Sequence, residues 1–376
     1  MLKIFLTGDN HIGLSYERYH EIKDTLKQSR LDSLKSMIGY ANENHCDFFV
    51  IAGDLFHRFS GISKKTVGMV AEILDGFEET VLVLPGNHDY YSEDIRLWKD
   101  FEDCIRDKVH IHLLNEFRKY EFETTDGKIV AFYPAMCQSK HSQTNNLGWI
   151  QKEPMDPEKY NIGIAHGALQ GITPDMKNEY FRMEERELRE IPADVWLIGH
   201  THVPYPEKLP LEEFAKGYHI FNAGTHEQTD LSCRTEGNGF LICLEEDKTV
   251  LAKRFISGRI RYYDRKVEIK EGMGPLKEQL QRSLEGIDGK NSIVRITLSG
   301  SIGGEEYAKR GDIYDELEKE FLSLEIQDSE LSERISEEKI KDEFAQMSFP
   351  AKFLMALSEN STELQMAYDL VKQIRE

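Results

Sequence analysis

Five times within the first 202 residues a short apolar run ends in a polar block: Gly8-Asp9-Asn10-His11, Gly53-Asp54-Leu55-Phe56-His57, Gly86-Asn87-His88-Asp89, His166-Gly167 and Gly199-His200-Thr201-His202. The runs before them, 4–7, 48–52, 81–84, 161–165 and 195–198, are short and rich in Val, Ile, Leu and Phe, as buried strands are. Amphipathic stretches at 26–42 and 67–74 separate the first three, with Leu31, Leu34, Ile38 and Ala41 on one stripe of the former. This alternation predicts an α/β fold of layered β-sheets flanked by helices. Polar residues at successive strand ends are where such a sheet builds its site. Further strands at 109–114, 119–123 and 129–132 make the sheet arrangement mixed.

From 218 to 269 the chain reads as strands (218–222, 239–244, 250–255 and 262–269) separated by glycine or charged turns. After Gly272-Met273-Gly274-Pro275 the texture changes to a helix at 276–284, a strand at 292–298, a turn at 300–304, a helix at 307–322 and a short strand at 324–327. The acidic stretch 328–342 reads as a solvated connector, and 349–374 as a helical tail with Leu354, Leu357, Leu364, Met366, Ala367 and Leu370 at helical spacing. The expected division is therefore 1–268, a small C-terminal β/α domain at 269–345, and a tail at 346–376.

Asp9 and His11 are two apart, as are His200 and His202, so on extended backbone each pair projects to one side and can grip one ion. Oxygens from Asp9, Asp54 and Asn87 with imidazoles from His11, His166, His200 and His202 suit manganese, iron or zinc better than calcium, which prefers all-oxygen cages. Seven groups are too many for one ion and about right for two that share a carboxylate. Such a pair can activate a water and stabilise the attacking and leaving oxygens of phosphoryl transfer. Any one block alone reads equally well as an ordinary turn; the recurrence at five strand ends is what points to a site.

Together the blocks GDNH, GDLFH, PGNHD, AHG and GHTH resemble the signature of the calcineurin-like metallophosphoesterases over roughly residues 1–260. GDLFH, with His-Gly at the fourth block, resembles the SbcD-type DNA double-strand-break repair nucleases within that superfamily. The resemblance implies that Asp9, His11 and His202 hold one divalent metal and Asn87, His166 and His200 a second, with Asp54 bridging; Mn2+ is the first expectation, Fe2+ or Zn2+ the alternatives. It further implies that His88 is the non-ligand histidine beside the scissile phosphate, that Asp89 orients it, and that His57 is an additional active-site histidine. By the same resemblance the 269–345 module would take the place of the family's DNA-holding cap, and the tail that of a segment binding an SMC-like coiled-coil ATPase, with a helix packed on its own domain as the other reading of the tail. Asn10 departs from the bacterial pattern, where Trp is usual. Hence the leading expectation is a DNA exonuclease or endonuclease of a repair complex, with DNA, the ATPase and a second copy of the chain as partners. A small-molecule phosphodiesterase or phosphatase on the same fold, and a non-catalytic DNA-end scaffold, are the other readings.

Charge bears on that choice. With 47 Lys and Arg against 67 Asp and Glu the formal charge is −20, which taken alone opposes a polyanionic partner. One segment runs against the trend: Lys253, Arg254, Arg259, Arg261, Arg265 and Lys266, with Tyr262 and Tyr263 interleaved, is a combination that contacts phosphates and stacks on bases. Pairing of those cations with the many carboxylates is the competing reading. Lys64 and Lys65, shortly beyond His57, are a second nucleic-acid candidate. Five widely spaced cysteines suit reduced thiols, no apolar run approaches the ~20 residues of a membrane span, and the short apolar start 1–6 reads as a first strand of a cytoplasmic protein.

Overall fold

A computed structural model describes residues 1–172, 177–358 and 361–375. The chain divides into two compact units, Met1–Tyr262 and Tyr263–Glu376.

In the first unit the elements run β1 (Leu2–Thr7), α1 (Lys23–Glu43), β2 (Phe48–Ala52), α2 (Lys64–Asp75), β3 (Thr80–Leu84), α3 (Arg96–Ile105), β4 (Ile111–Leu113), β5 (Tyr120–Glu123) and β6 (Ile129–Ala135). They continue through β7 (Tyr160–His166), α4 (Glu185–Glu190), β8 (Val195–Gly199), β9 (Ala215–Lys216), β10 (Ile220–Asn222), β11 (Gly239–Leu244) and β12 (Val250–Phe255). They form a seven-stranded sheet in the order β4-β3-β2-β1-β11-β12-β9 and a five-stranded sheet in the order β10-β8-β7-β6-β5. Strands β1 to β4 run parallel to one another, as do β6, β7, β8 and β10, whereas β11 pairs antiparallel with β1 and β12, and β5 antiparallel with β6. The sheets are therefore mixed, as the sequence pattern requires.

Alternation along each strand sets the layers. Leu2, Ile4 and Leu6, with Phe48, Val50, Leu82 and Leu84, meet Phe132, Ile162, Ile164, Leu197 and Phe221 in a core between the two sheets. Phe5, Phe49, Ile51, Val81 and Val83 point the other way and bury Leu34, Met37, Val70, Trp98 and Phe101 of α1, α2 and α3. The far face of the second sheet carries Tyr133, Trp196 and Ile198 against Leu147, Ile150 and Leu188. Strands covered on both faces have no solvent side, which is why FFVIA and TVLVL read as unbroken apolar runs.

Helix α3 is absent from the sequence reading. Leu97, Trp98 and Phe101 supply its whole buried face, and Lys99, Asp100, Glu102 and Asp103 between them disguise the stripe.

The second unit begins two residues into β13 (Arg261–Ile269), followed by α5 (Leu276–Ser283), β14 (Ser292–Ile302), α6 (Gly304–Ala308), α7 (Arg310–Glu318), β15 (Ser323–Glu333), α8 (Glu337–Glu343), α9 (Phe349–Ala356) and α10 (Ser361–Arg375). Its sheet has the order β13-β14-β15, so the strand expected at 262–269 pairs here and not with β12. The stretch 328–342 is not a connector. Strand β15 runs on through it to Glu333, with Leu324 and Leu331 in the small core, and α8 follows. Its acids face outward and find cations: Arg310 holds Asp328 at 2.8 Å, and Lys339 pairs with Glu333. A separate cluster of Ile340, Phe344, Leu354, Leu364 and Tyr368 packs α8, α9 and α10 together. Among the described residues no helix is long and apolar enough to cross a membrane.

Candidate metal centre

The five blocks follow the C-terminal ends of β1, β2, β3, β7 and β8, drawn from both sheets of the first unit. Beyond β1 and β2 the backbones stay paired: Asp9 N–H donates to Gly53 O at 3.1 Å, His11 N–H to Asp54 O at 2.9 Å and Ile12 N–H to Leu55 O at 2.9 Å. Asp9, His11, Asp54 and His200 all have positive φ (48°, 45°, 54° and 107°), a conformation that costs a non-glycine residue on the order of 1–3 kcal/mol. The cost is sustained by the surrounding hydrogen bonds. It turns four side chains off the strand direction toward one point.

Two glycines make room. A Cβ on Gly53 would lie 2.0 Å from His166 Nδ1, and one on Gly199 would lie 2.0 Å from the Ala52 carbonyl oxygen. His166 Nδ1 faces that same carbonyl at 2.8 Å, which makes Nδ1 the donor and leaves Nε2 as the ligating nitrogen.

All seven sequence-predicted ligands converge. Donor atoms of Asp9, His11 and His202 lie within 4.8 Å of one another, and so do those of Asp9, Asp54 and His166. Asp54 Oδ2 is 3.7 Å from His11 Nε2 and its Oδ1 is 3.5 Å from His166 Nε2, the position of a bridge between two sets. Asn87 Oδ1 stands 3.0 Å from both His166 Nε2 and His200 Nδ1. His11 Nε2 and His202 Nε2 approach to 3.0 Å.

Burial dominates the electrostatics. It pushes His200 down to about 3 and His202 down to about 4, and it holds His11 well below its ordinary value. These imidazoles are neutral near neutrality, with lone pairs available, as metal ligands must be. Burial also raises Asp9, an effect opposed by His166 and reinforced by Asp54. For Asp54, burial works upward, but His166, His11 and His88 outweigh it and keep the carboxylate ionised. Burial opposes the charge on His166 too, yet Asp54 and Asp9 outweigh it and lift His166 to about 9. Neutral His11, His200 and His202 offer lone pairs beside the ionised Asp54, and burial that lifts Asp9 to about 8 leaves that carboxyl to ionise when a cation binds. The mixed nitrogen and oxygen donors fit borderline divalent cations, so the residues present suit a two-metal group.

His88 sits beside this set. Its N–H donates to Asp54 Oδ1 at 2.8 Å, and its Nδ1 faces His57 O at 3.1 Å. A carbonyl can only accept, so Nδ1 is the donor and Nε2 is the nitrogen left facing the site. The His57 and His88 rings stack at 5.5 Å and 28°. Burial, with His88 adding, pushes His57 down to about 4.

Asp89 does not orient the His88 ring. Both of its oxygens are taken by backbone donors, Phe56 N–H at 2.9 Å and Gly86 N–H at 2.7 Å, so it ties the second and third blocks together. Trp98 Nε1 of α3 donates to the Asp89 carbonyl at 2.6 Å and anchors the same loop.

Three residues that the sequence reading did not place at the site support it. Thr225 Oγ1 donates to Asp9 O at 3.0 Å. Arg30, 1% exposed, donates from Nη1 to Asn10 O at 2.6 Å and from Nε to Tyr16 Oη at 2.7 Å. The Tyr180 ring lies 5.0 Å from that of His200. Each contact joins distant parts of the chain, so no local spacing announces it.

The cations singled out for nucleic acid fare unequally. Arg254 gives Nε to Asn238 Oδ1 at 2.8 Å and Nη1 to Glu207 O at 2.9 Å, and Arg261 gives Nη1 to Glu236 O at 2.6 Å, so both serve the fold. Lys64 pairs with Asp103 at 3.1 Å. Arg259 and Lys65 are exposed.

A family model described as calcineurin-like phosphoesterase matches residues 2–204. Similar proteins include the uncharacterized metallophosphoesterase YhaO of Bacillus subtilis, 26% identical over 47% of this chain and 42% of that one. The DNA double-strand break repair protein Mre11 of Haloferax volcanii is 23% identical over 80% of this chain and 62% of that one. Exonuclease subunit 1 of Enterobacteria phage T4 is 22% identical over 54% of this chain and 55% of that one. The matches thus span roughly half of those relatives' lengths.

Proposed function

This chain belongs to the calcineurin-like phosphoesterase family, and from that premise we propose that it hydrolyses phosphodiester bonds of DNA as the nuclease of a repair complex. The observation that carries the reading is the pair of stacked histidines, His57 and His88, set against a complete two-metal donor set. Relatives named for double-strand break repair and as an exonuclease subunit support it.

Asp9, His11 and His202 would hold one divalent cation, Asn87, His166 and His200 the other, with Asp54 between; when bound, the pair supplies Lewis acidity to the phosphate and the attacking water. Mn2+ is the first choice. The chain's own residues do the rest. His88, aimed by the Nδ1 contact to His57 O, takes a proton from solvent on Nε2 and passes it to the leaving oxygen as the P–O bond breaks. Asp89, Arg30 and Thr225 keep the loops that carry these groups in place. The second unit through residue 345 is proposed to hold DNA.

Helices α9 and α10 leave Phe349, Phe353, Met366 and Leu370 exposed, an apolar face suited to a coiled-coil ATPase partner or a second copy of the chain. The exposed Arg259 and Lys65 are the remaining basic candidates for phosphate contact.

The test is cleavage of linear duplex and hairpin DNA by the purified chain with Mn2+. His88→Asn is expected to lose about 10²- to 10⁴-fold in rate with unchanged metal content. Turnover of small phosphodiesters with no cleavage of any DNA would overturn the proposal in favour of a small-molecule phosphodiesterase, a reading that the charge of −20 favours.

A further inference from the structure

We propose that Phe59 and Tyr90 form a platform on which one nucleobase of the cleaved strand stacks, two residues along the chain from His57 and His88; this rests on the DNA-hydrolysis reading above. The second and third blocks run side by side, joined by His88 N–H to Asp54 Oδ1 at 2.8 Å and by Phe56 N–H to Asp89 Oδ2 at 2.9 Å. Their rings match in step. His57 stacks on His88, and two residues further along each loop Phe59 meets Tyr90, with ring centroids 5.0 Å apart and planes at 46°. Two residues span at most about 7 Å of chain, roughly two base-step rises, so the platform meets a base close to the phosphate that His88 serves.

Phe59 is 39% exposed, whereas Leu55 and Phe56 just before it are fully buried. It opens onto a cleft of about 510 Å³, walled by Ile62 and Ile95 and rimmed by Lys64 and Arg96. That size lies within the range of small-ligand sites. Asp100 lies 3.7 Å from Lys64 and 3.3 Å from Arg96, so the rim is close to charge-balanced and offers phosphate little net attraction. What the cleft does offer is apolar wall and an aromatic face. Every base has a π face, so a platform of this kind binds without reading sequence. It also lets a chain of strongly negative net charge hold a polyanion by its bases.

The experiment uses the full chain with Mn2+ and two oligonucleotides, one intact and one with abasic spacers at the two positions flanking the scissile phosphate. The wild-type protein is expected to cut the abasic strand roughly 5- to 150-fold less efficiently in kcat/KM. Phe59→Leu, which keeps apolar bulk and removes the aromatic face, is expected to lower cleavage of the intact strand by the same factor and leave the abasic strand unchanged; Phe59→Trp is expected to retain the wild-type preference. Equal losses on both strands, or no loss on either, overturn the platform while DNA hydrolysis stands. A wild-type protein that cuts neither strand yet turns over bis(p-nitrophenyl) phosphate overturns both.

Discussion

His226 offers a test of the electrostatics that is independent of catalysis. It is fully buried behind the first metal loop, with Nε2 against the Arg30 carbonyl at 3.0 Å and Nδ1 without a partner among the described residues. Burial, then the Arg30 charge, pushes it from 6.5 down to about 3. A base depressed in the native state contributes its full stability above the unfolded value, near 6.5, and loses it as pH falls toward about 3. Between about pH 7.5 and pH 5.0 the unfolded imidazole takes up a proton that the native one refuses, which lowers stability by about 2 kcal/mol. That figure requires only that native His226 be neutral at about pH 5. His226→Gln keeps an N–H donor for the Arg30 carbonyl and cannot titrate. Urea unfolding of both proteins at the two pH values, with chelator present throughout, reads the effect; the other depressed histidines act on both proteins alike and cancel. The variant should lose about 2 kcal/mol less than wild type over the interval. Equal losses would refute the burial argument.

Four other outcomes follow from the same geometry. Mn2+ at about 100 times its dissociation constant should stabilise the native chain by about 2.7 kcal/mol, seen as a rise in Tm that chelator reverses; no shift would mean no bound cation. Asp54→Asn should reduce bound metal from about two ions per chain to one or fewer by elemental analysis, since Asp54 faces both His11 and His166. Phe49→Ala, which removes a buried ring stacked on Phe5 at 5.3 Å, should cost about 3–5 kcal/mol in urea unfolding. Arg254→Gln should reduce stability without changing the salt dependence of DNA binding, because its guanidinium is committed to Asn238 and Glu207.

The site was legible in the sequence because its ligands sit where secondary structure ends. A strand announces itself by composition and a polar block by contrast, so Asp9, His11, Asp54, Asn87, His166, His200 and His202 stood out. Contacts that cross the fold leave no such trace: nothing near Arg30 points to Asn10, and nothing in PGNHD shows that Asp89 turns to Phe56 and not to His88. Charge hid structure elsewhere. Helix α3 buries three apolar residues among three acids and a lysine, and β15 carries Asp328, Glu330 and Glu333 along an edge strand where solvent and cations receive them. The strand at 262–269 was identified, while its partner was not, because pairing depends on which other strand is near and not on the strand's own pattern.

The two glycines pressed against His166 and Ala52 also bear on how such a centre changes over generations. A ligand can drift, since histidine, aspartate and asparagine all offer a lone pair and a cation tolerates exchange among them. Position 53 has no such latitude, because even a methyl group would land 2.0 Å from an imidazole nitrogen, and position 199 is blocked as closely by a carbonyl oxygen. In a saturation library selected for function, Gly53 and Gly199 should therefore tolerate fewer replacements than several of the residues that touch metal. A survey that ranked positions by intolerance alone would place two side-chain-free residues at the head of the active site.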